Sequence, residues 1–197
     1  MNFSAVILAA GSSKRFQENK LLLPFAGSTI LQQVIDKFVQ LPLSEIVVVT
    51  GKYNESIRDA LKNWPCKLVH NPDHDLGMGT SVRKGFSAIS EKPDAVFITP
   101  GDLPLFRINT LHLLIDNFSD NIVIPVHDNQ KGHPVLVNRS LVEWCLSHDE
   151  DKLLYKAIEA FSGQVKKITV NDPGILLDID TWDDYERIQS IPPYQGF

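Results

Sequence analysis

The chain has few of the residues and patterns that identify several large classes of protein. Its 197 residues include two cysteines, Cys66 and Cys145, which form no CxxC pair, so the sequence indicates neither a disulfide framework nor a zinc site. It contains no Lys/Arg-rich run and its net charge is −5, which disfavours general binding to nucleic acid or to an anionic membrane. No apolar stretch approaches the roughly 20 residues that span a bilayer. We therefore expect a protein of the reducing cytoplasm that has neither nucleic acid nor a membrane as a partner.

Short apolar runs of strand length alternate with helical patterns along the chain. Hydrophobic residues make up 43% of the sequence, which is enough for one compact domain. The alternation predicts an α/β fold in which crossover helices connect parallel strands and cover both faces of one sheet. The predicted strands are residues 4–9, 45–50, 67–70, 95–99, 122–126, 134–137 and 165–170. The predicted helices are residues 29–40, 54–62, 80–89, 108–118, 140–147, 152–161 and 181–191.

In a parallel sheet the ligand crevice lies beyond the carboxyl ends of the strands, and the loop after the first strand is basic. Backbone N–H groups that follow Gly11 can cradle phosphate, and Lys14, Arg15 and Lys20 supply positive charge. The loop matches neither the dinucleotide G-x-G-x-x-G fingerprint nor a Walker A loop, because Gly11 is its one glycine. It predicts a local anion site on an acidic protein. The alternative is a glycine-containing turn with solvated basic residues.

Two more loops at the same predicted edge carry unusual residues. Residues 71–80 contain Gly77 and Gly79 before a helical pattern, with Thr80 or Ser81 as N-cap, so free N–H groups would face the crevice. Taken alone, this loop is more typical of an ordinary helix start.

The third loop, residues 100–106, holds Asp102 between Pro100 and Pro104. A carboxylate there suits Mg²⁺, which commonly binds one or two carboxylates and substrate phosphates. The alternative is a turn aspartate that hydrogen-bonds nearby backbone.

Acidic residues concentrate near the carboxyl end of the chain. Between Asp172 and Arg187 there are six acidic residues and one basic residue. Thr181 is the expected N-cap of the last helix, whose positive end explains part of this excess. Asp178 and Asp180 precede the cap, and alternation along an extended segment puts both on one face. They are candidates for a second metal contact or for orienting a second substrate.

Five motifs together resemble the MobA-like NTP transferase family. The first is Leu8-Ala9-Ala10-Gly11-x-Ser13-x-Arg15-x4-Lys20-Leu21-Leu22-Leu23-Pro24. The others follow in the family's order as Gly77-Met78-Gly79-x-Ser81, Asp102-x-Pro104, Gly132-His133-Pro134 and Asp178-Ile179-Asp180-Thr181. The resemblance spans residues 5–185 and is strongest to the molybdenum cofactor cytidylyltransferase branch. The chain departs from the family's pattern at Phe16 and Gln17, where Met-Gly is usual, and at Trp182, where proline is usual.

The resemblance implies a role for each matching residue. Arg15, Lys20 and Asp102 would be catalytic, with Arg15 and Lys20 on the triphosphate. Asp102 would hold Mg²⁺ or Mn²⁺ with Asp180 as second ligand, Asp178 being the further candidate. The implied nucleotide contacts are Leu8, Ala9, Ala10, Gly11, Ser13, Gly79, Thr80 and Ser81, and Gly132 and His133 are the implied acceptor contacts.

The function implied by the resemblance is nucleotidyl transfer. Such an enzyme would move CMP from CTP, or a nucleotide from another NTP, to the phosphate of a molybdopterin-type cofactor and release pyrophosphate. Its fold would be a Rossmann-like three-layer nucleotidyltransferase fold with a mostly parallel central sheet. Residues 1–197 would form one domain, with a nucleotide half near 1–105 and an acceptor half near 106–197. A molybdoenzyme or its maturation factor is the implied protein partner.

Two other classes of function remain open. A guanylyltransferase or a phosphosugar nucleotidyltransferase would share the nucleotide motifs and differ in the acceptor region. A non-catalytic chaperone could use the same pocket to hold a nucleotide or a pterin, and the departures at Gln17 and Trp182 favour that alternative.

Overall fold

Strands and helices alternate through most of the computed structural model, which describes residues 1–90, 92–149 and 152–190. The strands there are β1 (Phe3–Ala9), β2 (Pro24–Phe25), β3 (Ser28–Thr29), β4 (Glu45–Thr50), β5 (Lys67–His70), β6 (Ala95–Pro100), β7 (Ile122–His127), β8 (Gln130–Lys131), β9 (Val135–Asn138) and β10 (Val165–Thr169). The helices are α1 (Ile30–Val39), α2 (Asn54–Ala60), α3 (Met78–Ser87), α4 (Ile108–Asp116), α5 (Arg139–Ser147), α6 (Leu153–Ala160) and α7 (Trp182–Gln189). Each predicted strand and helix is present within a few residues of its predicted ends, although the last residue of the 181–191 helix lies outside the described residues.

The main sheet is mixed but mostly parallel, as predicted. Its strands follow the order β10-β7-β9-β6-β1-β4-β5, and β8 pairs with β7. β1 is parallel to β4 and β6, and β4 to β5, while β10 is parallel to β7. The carboxyl ends of β1, β5 and β6 therefore lie on one edge, where the three loops singled out from the sequence begin.

One strand runs against the predicted direction. β9 is antiparallel to both β6 and β7, so the prediction that parallel strands are joined by helices is wrong for residues 134–137. The cause is the two-residue turn between β7 and β8, where Asp128 and Asn129 have φ values of 47° and 63°. Positive φ at both central positions is typical of a tight hairpin. The hairpin reverses the chain, and β9 continues in the reversed direction without an intervening helix.

Helices cover both faces of the sheet because successive strand residues point to opposite sides. On β1, Ala5 and Ile7 pack in a core with α1, α2, α4 and α7. Val6 packs on the other face, in a core with α3, α5 and α6. The result is the predicted three-layer α/β arrangement. No helix within the described ranges is long and apolar enough to cross a membrane.

Capping residues fix where the helices begin. Thr29 and Gln32 form a capping box on α1, and Thr181 and Asp184 form one on α7, which agrees with the N-cap predicted at Thr181. The N-cap predicted at Thr80 or Ser81 is wrong. Helix α3 begins at Met78, after Gly77 with a φ of 117°. A side chain at position 77 would be strained there, so glycine sets the entry of the chain into α3.

Candidate functional site

The three loops at the carboxyl edge of the sheet enclose a cavity of about 510 Å³. We call it the charged cavity. Its charged lining residues are Lys14, Arg15, Lys20, Asp75, Asp102 and Asp180. Leu8, Ala10, Gly11, Ser12, Ser13, Phe16, Leu21, His74, Gly77, Met78, Ser81 and Pro100 complete the lining. Residues from four separate parts of the sequence therefore meet in one place.

Lys20 is the centre of the charged cavity. Its Nζ lies 2.6 Å from Oδ2 of Asp102 and 2.9 Å from Oδ1 of Asp180, and it donates to the carbonyl of Ile179 at 2.6 Å. The Lys20 and Asp102 side chains are 13% and 16% exposed, against 50% for Asp180. Arg15, which is 67% exposed, reaches Oδ2 of Asp180 at 3.2 Å. Two cations and two carboxylates thus form one network.

The network shifts the pKa values of its members in different directions. Burial lowers the pKa of Lys20, but the carboxylates of Asp102 and Asp180 together outweigh it, and the net pKa is raised. The hydrogen bond from Lys20 holds the pKa of Asp180 below its usual range. Burial, reinforced by the carboxylates of Asp180 and Asp102, raises the pKa of Asp178. Lys20 is therefore firmly charged, and Asp178 holds a proton more readily than Asp180 does.

Local backbone contacts hold this network in place. Asn19 caps the short 3-10 helix Lys20–Leu22 by accepting from the N–H of Leu21, and the Ser13 hydroxyl accepts from the N–H of Lys20 at 3.3 Å. The backbone N–H of Ile179 donates to the carbonyl of Asp102 at 3.2 Å. Ile179 itself is fully buried, so Asp178 and Asp180 project to the other side of an extended segment.

The carboxylates suit a divalent cation. Oδ1 of Asp102 is buried and has no hydrogen-bond partner in the described part of the chain, and a buried carboxylate oxygen without a partner is a ready ligand. Within residues 1–90, 92–149 and 152–190, no three His, Cys, Asp or Glu side chains cluster as a metal site. Mg²⁺ does not require such a cluster, since substrate phosphates and water complete its shell. Asp102 and Asp180 therefore fit a metal that arrives with a phosphorylated ligand.

The second glycine loop is held by a side-chain network. The amide of Asn71 donates to the hydroxyls of Thr80 and Ser81, at 2.9 Å each. The Thr80 hydroxyl in turn lies 3.0 Å from the carbonyl oxygen of Asp73 and 2.9 Å from that of Gly77, and its one proton is donated between them. Ser81 lines the charged cavity and Thr80 does not, so the Thr80 side chain acts here as a brace for the loop.

A second cavity of about 780 Å³ adjoins the first. We call it the apolar cavity. It shares Leu8, Met78 and Pro100 with the charged cavity, and Gly79, Gly132 and His133 are part of its lining.

Gly132 has a packing role in this wall, since an added Cβ would lie 2.5 Å from the carbonyl oxygen of Ile175. Burial lowers the pKa of His133, and its Nδ1 is buried without a hydrogen-bond partner among the residues described.

The structure separates the residues singled out from the sequence into three groups. The charged cavity brings together Leu8, Ala10, Gly11, Ser13, Arg15, Lys20, Ser81, Asp102 and Asp180. Gly79, Gly132 and His133 line the apolar cavity. Ala9, Thr80 and Asp178 line neither cavity, and Ala9 points into the core on the other face.

Two titratable residues that line the charged cavity, His74 and Asp75, were not predicted as site residues. His74 packs against Gly51, where an added Cβ would lie 2.8 Å from the His74 ring, and it pairs with Asp75 at 3.2 Å. The sequence signal was present, because both residues stand in the loop at 71–80.

The comparisons with known proteins identify a family and several similar proteins. The family model described as a MobA-like NTP transferase domain matches residues 5–171. The chain is 29% identical over 181 residues to the molybdenum cofactor cytidylyltransferase of Escherichia coli (strain K12), which covers 91% of this chain and 92% of that protein.

Solved structures match over nearly the whole chain. The crystal structure of Rv0371c from Mycobacterium tuberculosis H37Rv has a TM-score of 0.84 and 25% identity, with 96% of this chain and 98% of that chain covered. Rv0371c in complex with manganese has a TM-score of 0.83 and 25% identity, with coverage of 98% and 100%. Because the family model matches residues 5–171, well over half of the sequence, the chain belongs to the MobA-like NTP transferase family.

Proposed function

We propose that this protein transfers CMP from CTP to the phosphate of a molybdopterin-type cofactor and releases pyrophosphate. Membership of a nucleotidyltransferase family gives the reaction class. The choice of CTP and of the acceptor is supported by the near full-length similarity to a protein named molybdenum cofactor cytidylyltransferase.

One observation carries the proposal: Lys20 lies between Asp102 and Asp180, with Arg15 on the outer side of Asp180. Both cations contact carboxylates in this network. A nucleoside triphosphate is a stronger partner for Lys20 and Arg15, because a triphosphate carries more negative charge than one carboxylate. We expect Lys20 and Arg15 to contact the triphosphate, and Asp102 and Asp180 to hold a divalent cation beside it.

A divalent cation bound by Asp102 and Asp180 would neutralise charge on the triphosphate and orient it. The manganese complex of Rv0371c supports a divalent cation in this fold.

The chemistry then depends on position and charge. An oxygen of the acceptor phosphate attacks the α-phosphorus, the bond from that phosphorus to the bridging oxygen of the β-phosphate breaks, and pyrophosphate leaves with the electron pair. Lys20 and Arg15 stabilise the charge that develops on the leaving pyrophosphate. No covalent intermediate with the protein is needed.

The decisive experiment measures pyrophosphate release with CTP, molybdopterin-type cofactor and Mg²⁺. Asp102→Asn should lower kcat by on the order of 100-fold, the effect of removing one preorganised charge-stabilising group. Asp116→Asn, an exposed aspartate on α4, is the matched control and should leave turnover unchanged. Turnover in Asp102→Asn equal to wild type would overturn the proposal.

Parallel arms separate the other functions. Thermal shifts with CTP, GTP, ATP and UTP should favour CTP, and a ligand at 100 times its dissociation constant stabilises by about 2.7 kcal/mol. Preferential turnover of GTP or of a sugar phosphate acceptor would contradict the proposed substrates. Nucleotide binding without metal-dependent turnover in wild type would identify a chaperone.

A further inference from the structure

The apolar cavity crosses several strands of the sheet. Ile98 of β6, Val135 of β9, Ile124 of β7 and Val165 of β10 form its floor. Helices α3 and α6 contribute the opposite wall, which includes Val82, Leu153 and Ile158. At about 780 Å³ it is larger than the charged cavity, which has about 510 Å³. A lining of this kind suits a ligand whose ring or chain portion is mainly apolar, because burial of apolar ligand surface is the main source of affinity in such a cavity.

One end of the apolar cavity opens to the reaction centre. Leu8 and Pro100, which it shares with the charged cavity, are paired residues on β1 and β6, and Asp102 follows β6 by two residues. His133 is part of the same lining. A molecule in the apolar cavity can therefore present one phosphate to a nucleotide in the charged cavity.

Two lysines stand on the cavity face, on the strands that pair with β7 from its two sides. Lys167 of β10 pairs with Ile124 of β7, and Lys131 of β8 pairs with Val126 of β7. Ile124 and Val126 are two residues apart on one strand, so both lysines project from the face that Ile124 shares with the cavity. Their strands, β8 and β10, pair with β7 from its two sides, and a strand spacing of about 4.8 Å separates these flanking strands by about 10 Å.

Among the described residues, no close partner neutralises the charge of these lysines. The ammonium groups of Lys131 and Lys167 make no hydrogen bond or ion pair within the described ranges, and both residues are exposed. Among the described residues that line the apolar cavity, Glu159 is acidic and lies on α6, on the wall opposite the two lysines. An apolar cavity with surplus positive charge on one wall is complementary to an amphiphilic anion.

We infer that the acceptor is an amphiphilic molecule with two separate anionic groups: the phosphate that attacks at the charged cavity, and a second group held by Lys131 and Lys167. This deepens the proposed function by describing the chemistry of its acceptor, and rests on it for the identity of the reaction. The part of this subsite formed by Lys167 is distinct from the attacking phosphate, because β10 lies three strand positions from β6, or about 14 Å. Lys131 pairs with β7 from the opposite side, so a group between the two lysines lies over β7 and not over β6. Lys167 consequently serves acceptor selection and not the transfer step.

The test uses two fluorescent probes with the same aromatic body. 8-Anilinonaphthalene-1-sulfonate carries an anionic group, and N-phenyl-1-naphthylamine is its uncharged counterpart. Dissociation constants are measured by titration of the intact protein, with thermal melts to check folding. Lys131→Gln and Lys167→Gln should each weaken the sulfonate probe roughly fivefold, the equivalent of about 1 kcal/mol, and leave the uncharged probe unchanged.

The neighbouring lysine is the matched control. Lys166 precedes Lys167 on β10, so it projects to the opposite face of the sheet, and Lys166→Gln should bind both probes as wild type does. Ile158→Trp, which fills the apolar cavity, should weaken both probes. Equal effects of Lys166→Gln and Lys167→Gln, or unchanged sulfonate affinity in Lys131→Gln and Lys167→Gln, would overturn the inference.

The probe titration does not depend on turnover, so the two proposals fail separately. With an active acceptor, Lys167→Gln should raise KM for the acceptor and leave KM for CTP unchanged. Absence of CMP transfer in wild type, together with the expected probe pattern, would refute the proposed reaction while the anion-selective cavity stands. CMP transfer by wild type, with Lys131→Gln and Lys167→Gln unchanged in probe affinity and in KM for the acceptor, would support the proposed reaction and refute the anion-selective cavity.

Discussion

The Phe16 ring packs against the indole of Trp182, with ring centroids 5.0 Å apart. Both residues occupy positions where the chain departs from its family's usual sequence, and they are brought together from opposite ends of the chain. Phe16 is buried, and Trp182 also contacts the ring of Tyr185, whose hydroxyl donates to the carbonyl of Pro24 at 2.7 Å. The two departures therefore belong to one aromatic contact that joins the basic loop to α7.

We expect Phe16 and Trp182 to be energetically coupled. In a double-mutant cycle with Phe16→Leu and Trp182→Ala, urea unfolding should give a coupling energy of about 0.5–1.5 kcal/mol, the range for aromatic pairs. Trp144 is the control, because it stacks on His148 in another part of the molecule. The effects of Phe16→Leu and Trp144→Ala on the free energy of unfolding should be additive. If the effects of Phe16→Leu and Trp182→Ala are additive as well, the contact between Phe16 and Trp182 adds no stability of its own.

The other departure, Gln17, sits in a conformation that favours glycine. Its φ is 59°, a left-handed region that costs a non-glycine residue about 1 kcal/mol. We expect Gln17→Gly to keep or raise the free energy of unfolding by up to about 1 kcal/mol, because relief of strain competes with a more flexible unfolded chain. Glu18→Gly, at a neighbour without positive φ, should lower it. A clear loss of stability in Gln17→Gly would mean that the glutamine is not strained.

Asp180 and Asp178 should differ in their effect on metal affinity. Asp180 lines the charged cavity and is bonded to Lys20, whereas Asp178 lines neither cavity. Titration of Mn²⁺ in the presence of CTP, followed by the paramagnetic signal of the free ion, should show weaker binding in Asp180→Asn. Asp178→Asn should bind Mn²⁺ nearly as wild type does. The opposite order would exchange the roles of the two carboxylates.

Asp172 is the buried acidic residue of the carboxyl-terminal segment, and we expect stability to depend on it. It is 2% exposed, and its carboxylate accepts from the N–H of Arg107 at 2.7 Å, from the Thr110 hydroxyl at 2.6 Å and from the N–H of Gly174 at 3.1 Å. Asp172→Ala leaves these donors unsatisfied and should lower the free energy of unfolding by about 3 kcal/mol. The exposed Asp59→Ala should change it by less than about 0.5 kcal/mol.

Local patterns predicted the elements of the fold better than their directions. The strand β4 and the amphipathic helix α1 follow from apolar periodicity within a few residues. The reversal of β9 depends on Asp128 and Asn129, two polar residues whose positive φ values define the hairpin. A tight turn of this kind was readable in principle, since no helical pattern separates residues 126 and 134.

The charged cavity was only partly predictable for a different reason. Topology explains why the loops after β1 and β6 meet, so Lys20 and Asp102 were expected near each other. The contact between Lys20 and Asp180 joins residues 160 positions apart, and the backbone bond from Ile179 to Asp102 fixes it. Neither spacing nor composition encodes such a contact. Likewise, the face from which Lys131 and Lys167 project could not be predicted without knowing the register of β7 with β8 and β10.

Lys37 should make stability depend on pH in the alkaline range. Its Nζ donates to the carbonyls of Pro104 at 2.7 Å and Gln33 at 2.9 Å, and so holds the loop that carries Asp102. Burial lowers the pKa of Lys37 to about 8, against the opposing effect of Asp36 and Asp172. Since the unfolded chain keeps a pKa near 10.5, it binds more protons than the folded chain between these values, and this contribution to stability rises with pH.

The measurement that checks this is urea unfolding between pH 7.5 and 10. Wild type should gain stability across this window relative to Lys37→Met, which has no proton to release. Lys62→Met removes an exposed lysine and should keep the wild-type pH dependence. If the free energies of unfolding of wild type and Lys37→Met change with pH in the same way, the Lys37 ammonium is as well stabilised in the folded protein as in water. The hydrogen-bonded carbonyls and the nearby carboxylates would then fully offset its burial.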